Sequence, residues 1–505
     1  MIAACCVVDL GNNCYGSRHR PMAALQVCLT CKGRKKKCDK QLPRCGYCEQ
    51  NNKVCCYDYG GTPDSLSPSH ITESSVDHTP LHIASPASIG SIHDSRVLDA
   101  TIPREVMQII NATHQSIDEI STRYFNGIRF LCPDRFGKDL LQFHAAPAAQ
   151  FSLLLLCMCL VTYNPPQDLP PPIDHNALYF HAKTLFTQVQ VLTIPSTHTI
   201  PSTHHIQAGL LISVYEYAHG RPGTALASTD ICARMAYRIG MNKKHDSLGW
   251  SEAWNTWWAI NIFERIFYCE STLTDIPLVT VAPDETALLP HEVGDSTREP
   301  SLSPGFRVAP VSQAGIGCLG RAAQAAYLLE RVIQTIKATS VTTTDRIANL
   351  IYLDGKLPRL LSIVMNNCHG LRGGHCGAVG SSIRALPMLH QHILHLEATS
   401  IDSRWRNHSQ AALDTAAQMI VDISRSHRDI PYSKIDTISP VCNYFMRHTL
   451  QHIYVKRYAD SKAWFDDSDA LRESLAKLDR RWSLEIGTFS NTEVKSSVTS
   501  IEVQS

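Results

Sequence analysis

Six cysteines, Cys28, Cys31, Cys38, Cys45, Cys48 and Cys55, are the residues of this chain best equipped for chemistry. Their order is Cys-x2-Cys-x6-Cys, six intervening residues, and the same unit again. A Cys-x2-Cys turn presents two thiolates to one tetrahedral metal, and a third cysteine six residues later returns after a short helical turn. Two such units hold too few sulfurs for two separate four-sulfur sites. Two metals would therefore share thiolates in one compact binuclear cluster. Cys56 adjoins the last ligand; choosing it lengthens the final interval to seven, whereas Cys55 keeps the internal repeat.

The charge is concentrated in the same place. The chain of 505 residues carries 47 Lys+Arg against 46 Asp+Glu, a net charge of +1. Between Arg18 and Asp58 there are ten basic residues and three acids, a local charge of +7, so the remainder carries −6. A uniformly basic, histone-like protein is excluded. A strongly basic patch beside a metal cluster on a mildly acidic body is instead the electrostatic footprint of a nucleic-acid binder.

With all six cysteines in place, CLTCKGRKKKCDKQLPRCGYCEQNNKVC resembles the DNA-binding domain of fungal binuclear zinc-cluster (Zn2Cys6) transcription factors. The resemblance covers this one segment, including the basic run and Pro43 in the loop between the halves. It implies two short helix-strand halves around two zinc ions per chain. By position, Cys28 and Cys45 would be the bridging thiolates, and Cys31, Cys38, Cys48 and Cys55 the terminal ones. It further implies that Arg34 and Lys35, at the end of the first short helix, read a CGG-like triplet, while Lys32, Lys36, Lys37, Lys40 and Arg44 mostly face phosphates. Chemically this is sound, since Lys and Arg donate to guanine O6 and N7 in the major groove, and phosphate contacts position without reading sequence. A zinc deaminase does not fit: Arg44 separates Pro43 from Cys45, and no His-x-Glu precedes them.

The rest of the chain must position and regulate that head. With 44% hydrophobic and 18% charged residues, it can bury a sizeable core. An odd total of nineteen cysteines, and an N-terminus (MIAACCVVDL) without a leading positive charge, argue against an exported disulfide framework and for a reducing compartment. The apolar run Leu153 to Val161 is far short of the ~20 residues that span a bilayer and reads as a buried core helix. Residues 59–103, rich in serine and proline, read as a flexible linker. No sustained heptad follows the cluster there, so nothing specifies a coiled-coil dimer.

Beyond Pro103 the apolar residues recur at three- and four-residue intervals, as in Ala177–Leu192, Ile206–Ala218, Ala225–Ile239, Ser251–Cys269, Ala322–Ile336, Arg346–Met365, Ile383–Leu396, Ala411–Ile423, Ile438–Val455 and Leu471–Ile486. The expected fold is a small zinc cluster (25–58), a linker (59–103) and a large all-α domain (104–487), with disordered ends at 1–24 and 488–505. TALASTDICARMAYRIGM followed by SEAWNTWWAINIFERIF is similar to the middle homology region of fungal transcription factors, through Arg234, Met235, Ala236, Trp257, Trp258 and Arg265. Physically, Trp254, Trp257, Trp258, Ile262 and Ile266 form an apolar stripe suited to a core.

Other features carry less. The repeated TIPSTH brings His198, His204 and His205 together in sequence, but reads as a loop duplication. His390, His392 and His395 do not share one helix face, and the glycines from 370 to 380 lack a phosphate-loop pattern. Asp466, Asp467 and Asp469, near Trp464 and Phe465, fit a helix start better than an acidic activation motif. No catalytic residue is assigned. The resemblances together imply a nuclear, pathway-specific regulator of RNA polymerase II genes, controlling a secondary-metabolite gene cluster or nutrient use. Double-stranded DNA and the transcription machinery are its expected partners, with room for a homodimer and a small-molecule effector, and no membrane. The alternative is a small-molecule-sensing helical co-regulator with weak DNA binding of its own.

Overall fold

The computed structural model describes residues 27–40, 45–51, 53, 95–127, 130–131, 133–165, 171–193, 201–243, 251–271, 276–290, 305–338, 342–367, 376–396, 402–428, 430–432, 435, 438–455 and 462–482. Among them lie sixteen helices and no regular strand, so the helical periodicity of the body is found as expected. Leu288 and Arg307 form one isolated antiparallel bridge.

The centre of the body is set by α6 (Ala149–Thr162). Its sequence, AQFSLLLLCMCLVT, is apolar on every side, and every residue from Ser152 to Thr162 is buried. A helix with no polar face must be surrounded. Accordingly α3 (Ser95–Ala112), α4 (Ile117–Asn126), α5 (Pro133–Ala145), α7 (His175–Thr193) and α8 (Thr203–Ala218) all pack on it. No described helix is long and apolar enough to cross a membrane.

The start of this core corrects the expected linker boundary. Helix α3 begins at Ser95, inside the span read as linker, and Pro103 lies within it. An interior proline costs about 3 kcal/mol or more. Ile102, Val106, Ile109 and Ile110, all buried, offset that cost. The same helix has a second task. The N-cap of α6, Ala148, has no side chain able to accept a hydrogen bond, and Asp99 Oδ1 accepts from Ala149 N at 2.8 Å instead.

From α8 the chain builds outward in order. Helix α9 (Pro222–Arg238) packs between α8 and α10 (Ser251–Glu270), and α11 (Cys318–Lys337) joins α10 to α12 (Thr343–Asn367) and α13 (Cys376–His395). The tryptophan stripe is core, as its spacing suggests: Trp257 and Trp258 are buried, and Trp254 and Trp258 donate their indole N–H groups to the carbonyls of Leu289 and Leu288 at 3.3 and 3.0 Å. Beside them Arg265 is 1% exposed and ion-paired with Glu264 and Glu330.

The last three helices, α14 (Ser403–Arg428), α15 (Val441–Val455) and α16 (Lys462–Trp482), close a further core around Ile420, Phe445 and Leu475. Gly380 is required where α13 meets α15, since a Cβ there would lie 2.6 Å from Val441 Cγ1. The acids near Phe465 do not open the helix as expected, since α16 begins at Lys462 and its first turn holds none; Asp467 pairs with Arg425, and Asp469 with Arg472 at 3.0 Å. The end of α16 returns to the first core. Arg481 donates to the carbonyl oxygens of Val161 at 3.0 Å and Tyr163 at 3.2 Å, satisfying the C-terminus of α6.

Candidate metal centre and nucleic-acid interface

Each half of the cysteine segment folds around the same local pattern. Cys28 is the N-cap of α1 (Leu29–Gly33) and Cys45 the N-cap of α2 (Gly46–Gln50), both with extended backbone. Their hydrogen bonds repeat at the 17-residue offset between the two caps. Lys32 N donates to Cys28 O at 2.9 Å and Glu49 N to Cys45 O at 3.0 Å; Lys36 N donates to Cys31 O at 2.9 Å and Lys53 N to Cys48 O at 2.8 Å. The helices expected in both halves are therefore present. The residues after α1, 36–40, form no regular strand among the described residues.

This repetition brings the thiols together. Sγ of Cys28 lies 3.7 Å from both Cys45 Sγ and Cys48 Sγ, and Sγ of Cys31 lies 3.5 Å from Cys45 Sγ and 4.0 Å from Cys48 Sγ. A metal–sulfur bond of about 2.3 Å in a tetrahedron gives sulfur–sulfur edges of about 3.8 Å, so these sulfurs stand at zinc spacing. Cys38 joins through a second group, with Asp39 and Cys45. Cys45 thus belongs to both groups. Cys55, Cys56, Pro43 and Arg44 lie outside the described residues.

The electrostatics call for a cation. At Cys28 burial opposes ionisation, but the Cys31 N–H, donating at 3.3 Å, and the neighbouring thiols hold its pKa below the ordinary value. Burial likewise opposes ionisation of Cys45, and the backbone N–H and thiol of Cys48 outweigh it. Cys31 is pushed far up, by burial first and then by its three thiol neighbours. Sulfurs this close cannot all ionise side by side unless a metal neutralises them, and a coordinating thiol is deprotonated outright.

Residues 26–59 match the family model of the fungal Zn(2)-Cys(6) binuclear cluster domain. The N-terminal segment is a zinc-cluster domain. It binds two zinc ions through six cysteines, of which Cys28, Cys31, Cys38, Cys45 and Cys48 are described and gathered here. The family is one of DNA-binding transcription regulators, not of enzymes. No curated protein and no solved structure matches the chain.

Around the cluster, Lys32, Arg34, Lys35, Lys36 and Lys37 are all exposed, and Lys40 is half-buried. Arg34 is the C-cap of α1, and Lys35 follows in the left-handed region at φ 49°. That conformation ends the helix and lets Lys36 N reach back to Cys31 O, turning the basic segment off the helix axis. Sequence reasoning missed Asp39. Its two carboxylate oxygens accept from Gly46 N at 3.0 Å each, tying the first half to the start of α2. A Cβ at position 46 would lie 2.7 Å from Asp39 Oδ2, so glycine is needed for this approach. The available signal was an acid directly after one ligand cysteine and a glycine directly after another.

The histidines do not form the groups their sequence proximity suggested. His204 pairs with Asp139 at 3.0 Å and His205 stacks on Phe186 at 4.5 Å, while His198 lies outside the described residues. His390 contacts Asp354 and Ser409, whereas His395 turns to the carbonyl of Gln391.

Proposed function

We propose that this chain is a nuclear, sequence-specific transcription factor of RNA polymerase II genes, whose zinc cluster reads a CGG-like triplet and whose helical body regulates it. The observation that carries the reading is the joining of a buried thiol cluster to an exposed basic turn, Lys32 to Lys37, within a zinc-cluster family match. In this reading Cys28 and Cys45 bridge two zinc ions. Cys31 and Cys38 complete one set, and Cys48 and Cys55 the other. Arg34 and Lys35 donate to base edges, and Lys32, Lys36, Lys37, Lys40 and Arg44 to phosphates.

The body supports a regulatory role in the manner of the fungal middle homology region, with Arg234, Met235 and Ala236 on α9 and Trp257, Trp258 and Arg265 on α10. Pathway-specific control, of a secondary-metabolite gene cluster or of nutrient use, is the role that resemblance suggests. The transcription machinery, a second copy and a small-molecule effector are the further partners it brings.

Lys35 offers a clean test, because its left-handed backbone favours glycine. Lys35→Gly should keep both zinc ions and the fold while losing about 1–3 kcal/mol of discrimination between the preferred triplet and a changed one. Competition binding with the two DNAs, alongside zinc content, measures this. Undiminished preference in a variant that retains its zinc would rule out base reading by Lys35.

A further inference from the structure

The outer face of α7 carries no charge. Its exposed residues, among those described, are Asn176, Phe180, Thr184, Thr187 and Val191. By contrast α16, of similar length, exposes Asp466, Asp469, Arg472, Glu473 and Arg480, as a helix facing water ordinarily does. Lys183, the one lysine, arginine or acid in the sequence of α7, is turned inward: its Nζ lies 2.8 Å from Glu216 Oε1 and donates to Ser228 Oγ at 2.8 Å. Phe180 and Val191 are instead 62% and 58% exposed.

The spacing of this face is as telling as its composition. Phe180, Thr184, Thr187 and Val191 follow one another at intervals of four, three and four residues, the seam along which two helices interlock side chains. At about 1.5 Å per residue the stripe runs ~16 Å along the helix. Laid antiparallel on a copy of itself, about a two-fold axis between Thr184 and Thr187, it sets Phe180 against the copy's Val191 and Thr184 against the copy's Thr187. A large side chain then meets a smaller one at both ends, and two small ones meet in the centre. A two-fold contact places a patch on its own copy, and a stripe without charge does so with no like-charge repulsion and no ion to desolvate. Lys183 also reaches α9 through Ser228, and there Ala227 and Ile231 are exposed and uncharged too, widening the patch.

From this face we propose that the body self-associates as a two-fold dimer through antiparallel packing of α7 on α7, with Phe180, Thr184, Thr187 and Val191 as the seam. The proposal rests on the reading of the chain as a regulator that acts with a second copy, and gives that copy its contact surface. No sustained heptad follows the zinc cluster in the sequence, so pairing through the body takes the place of a zipper. Two chains joined here present two basic zinc-cluster segments to one DNA.

The test is the association state of the zinc-loaded full-length chain, without DNA, by sedimentation equilibrium. The wild-type chain should be a dimer at tens of micromolar. Phe180→Glu and Val191→Glu should each weaken association at least ~10-fold, because each substitution enters the interface twice. Ile351→Glu, at an apolar residue of α12 that is 55% exposed, should leave it unchanged. Thr184→Lys and Thr187→Glu should each weaken it, and an equimolar mixture of these two chains should associate more tightly than either alone, since antiparallel packing sets the two positions opposite each other. Equal helix content by circular dichroism checks that the variants keep the fold. A chain that stays monomeric, a dimer indifferent to both Phe180→Glu and Val191→Glu, or a mixture no tighter than its components would overturn the proposal; in the first two cases the face serves a different protein. With no DNA present, none of these results bears on triplet reading by the zinc cluster.

Discussion

Cys45→Ala is expected to release both cluster zinc ions and unfold the N-terminal domain. Cys45 stands in both groups, with Cys28, Cys31 and Cys48 in one and with Cys38 in the other, and as the proposed bridging thiolate it belongs to both ligand sets, so its loss opens both. Among the described residues the core of the cluster is its sulfurs: Cys28, Cys31, Cys45 and Cys48 are buried, with Cys38 and Tyr47 packed against them. Structural zinc contributes roughly 10–16 kcal/mol of folding free energy in finger peptides, more than any other interaction in a domain this small. Elemental analysis of the full chain should find the cluster ions gone, and DNA binding should go with them. Cys318→Ala is the control, since that half-buried thiol sits at the start of α11 and belongs to neither cysteine group, so its loss should leave the zinc count unchanged. Full zinc content in Cys45→Ala would contradict the assignment.

The second large effect lies in the body, at Arg265. Its Nε is 2.9 Å from Glu330 Oε2 and its Nη1 is 3.0 Å from Glu264 Oε2. Nη1 also donates to the carbonyl of Asn261 at 3.1 Å, and the Thr280 hydroxyl joins both Arg265 and Glu264. These groups tie α10 to α11 and to the loop at Thr280. Arg265→Ala strands two buried carboxylates, and breaking a buried pair from one side costs about 3–5 kcal/mol. By contrast, Arg428 and Glu473, each 54% exposed and 2.6 Å apart, form an ion pair of the surface kind. Such pairs are worth about 0–1 kcal/mol. Thermal unfolding of the full chain should therefore show a much larger fall in midpoint for Arg265→Ala than for Arg428→Ala. Equal falls would mean that Arg265 is not the anchor its contacts suggest.

Much of the molecule is legible in its sequence, for local reasons. The cysteine spacing repeats because two similar turns repeat, and the structure shows the two halves with matching hydrogen bonds. The all-round apolar character of α6 identifies it as a surrounded helix, and the tryptophans of α10 identify a core face. What escaped depends on contacts between distant positions. Asp99 looked like one more polar residue in a serine-rich linker until α6 placed Ala149 N against it. Pro103 read as a boundary, since the packing of α3 that overrides it is tertiary. Asp39 was counted only as an acid, and its bond to Gly46 exists only once the two halves face each other. His390 was compared with histidines on its own helix, where the periodicity does place them apart; Asp354 and His408 reach it from two other helices.

The central claim, that this zinc cluster reads DNA sequence, is met most directly by selecting binding sites from random double-stranded DNA with the zinc-loaded full-length chain. The expected result is enrichment of a CGG-like triplet, abolished or blurred by Lys35→Gly, with the spacing and symmetry of the triplets reporting whether one or two chains bind. No enrichment over the starting pool, from protein carrying both cluster zinc ions, would contradict it.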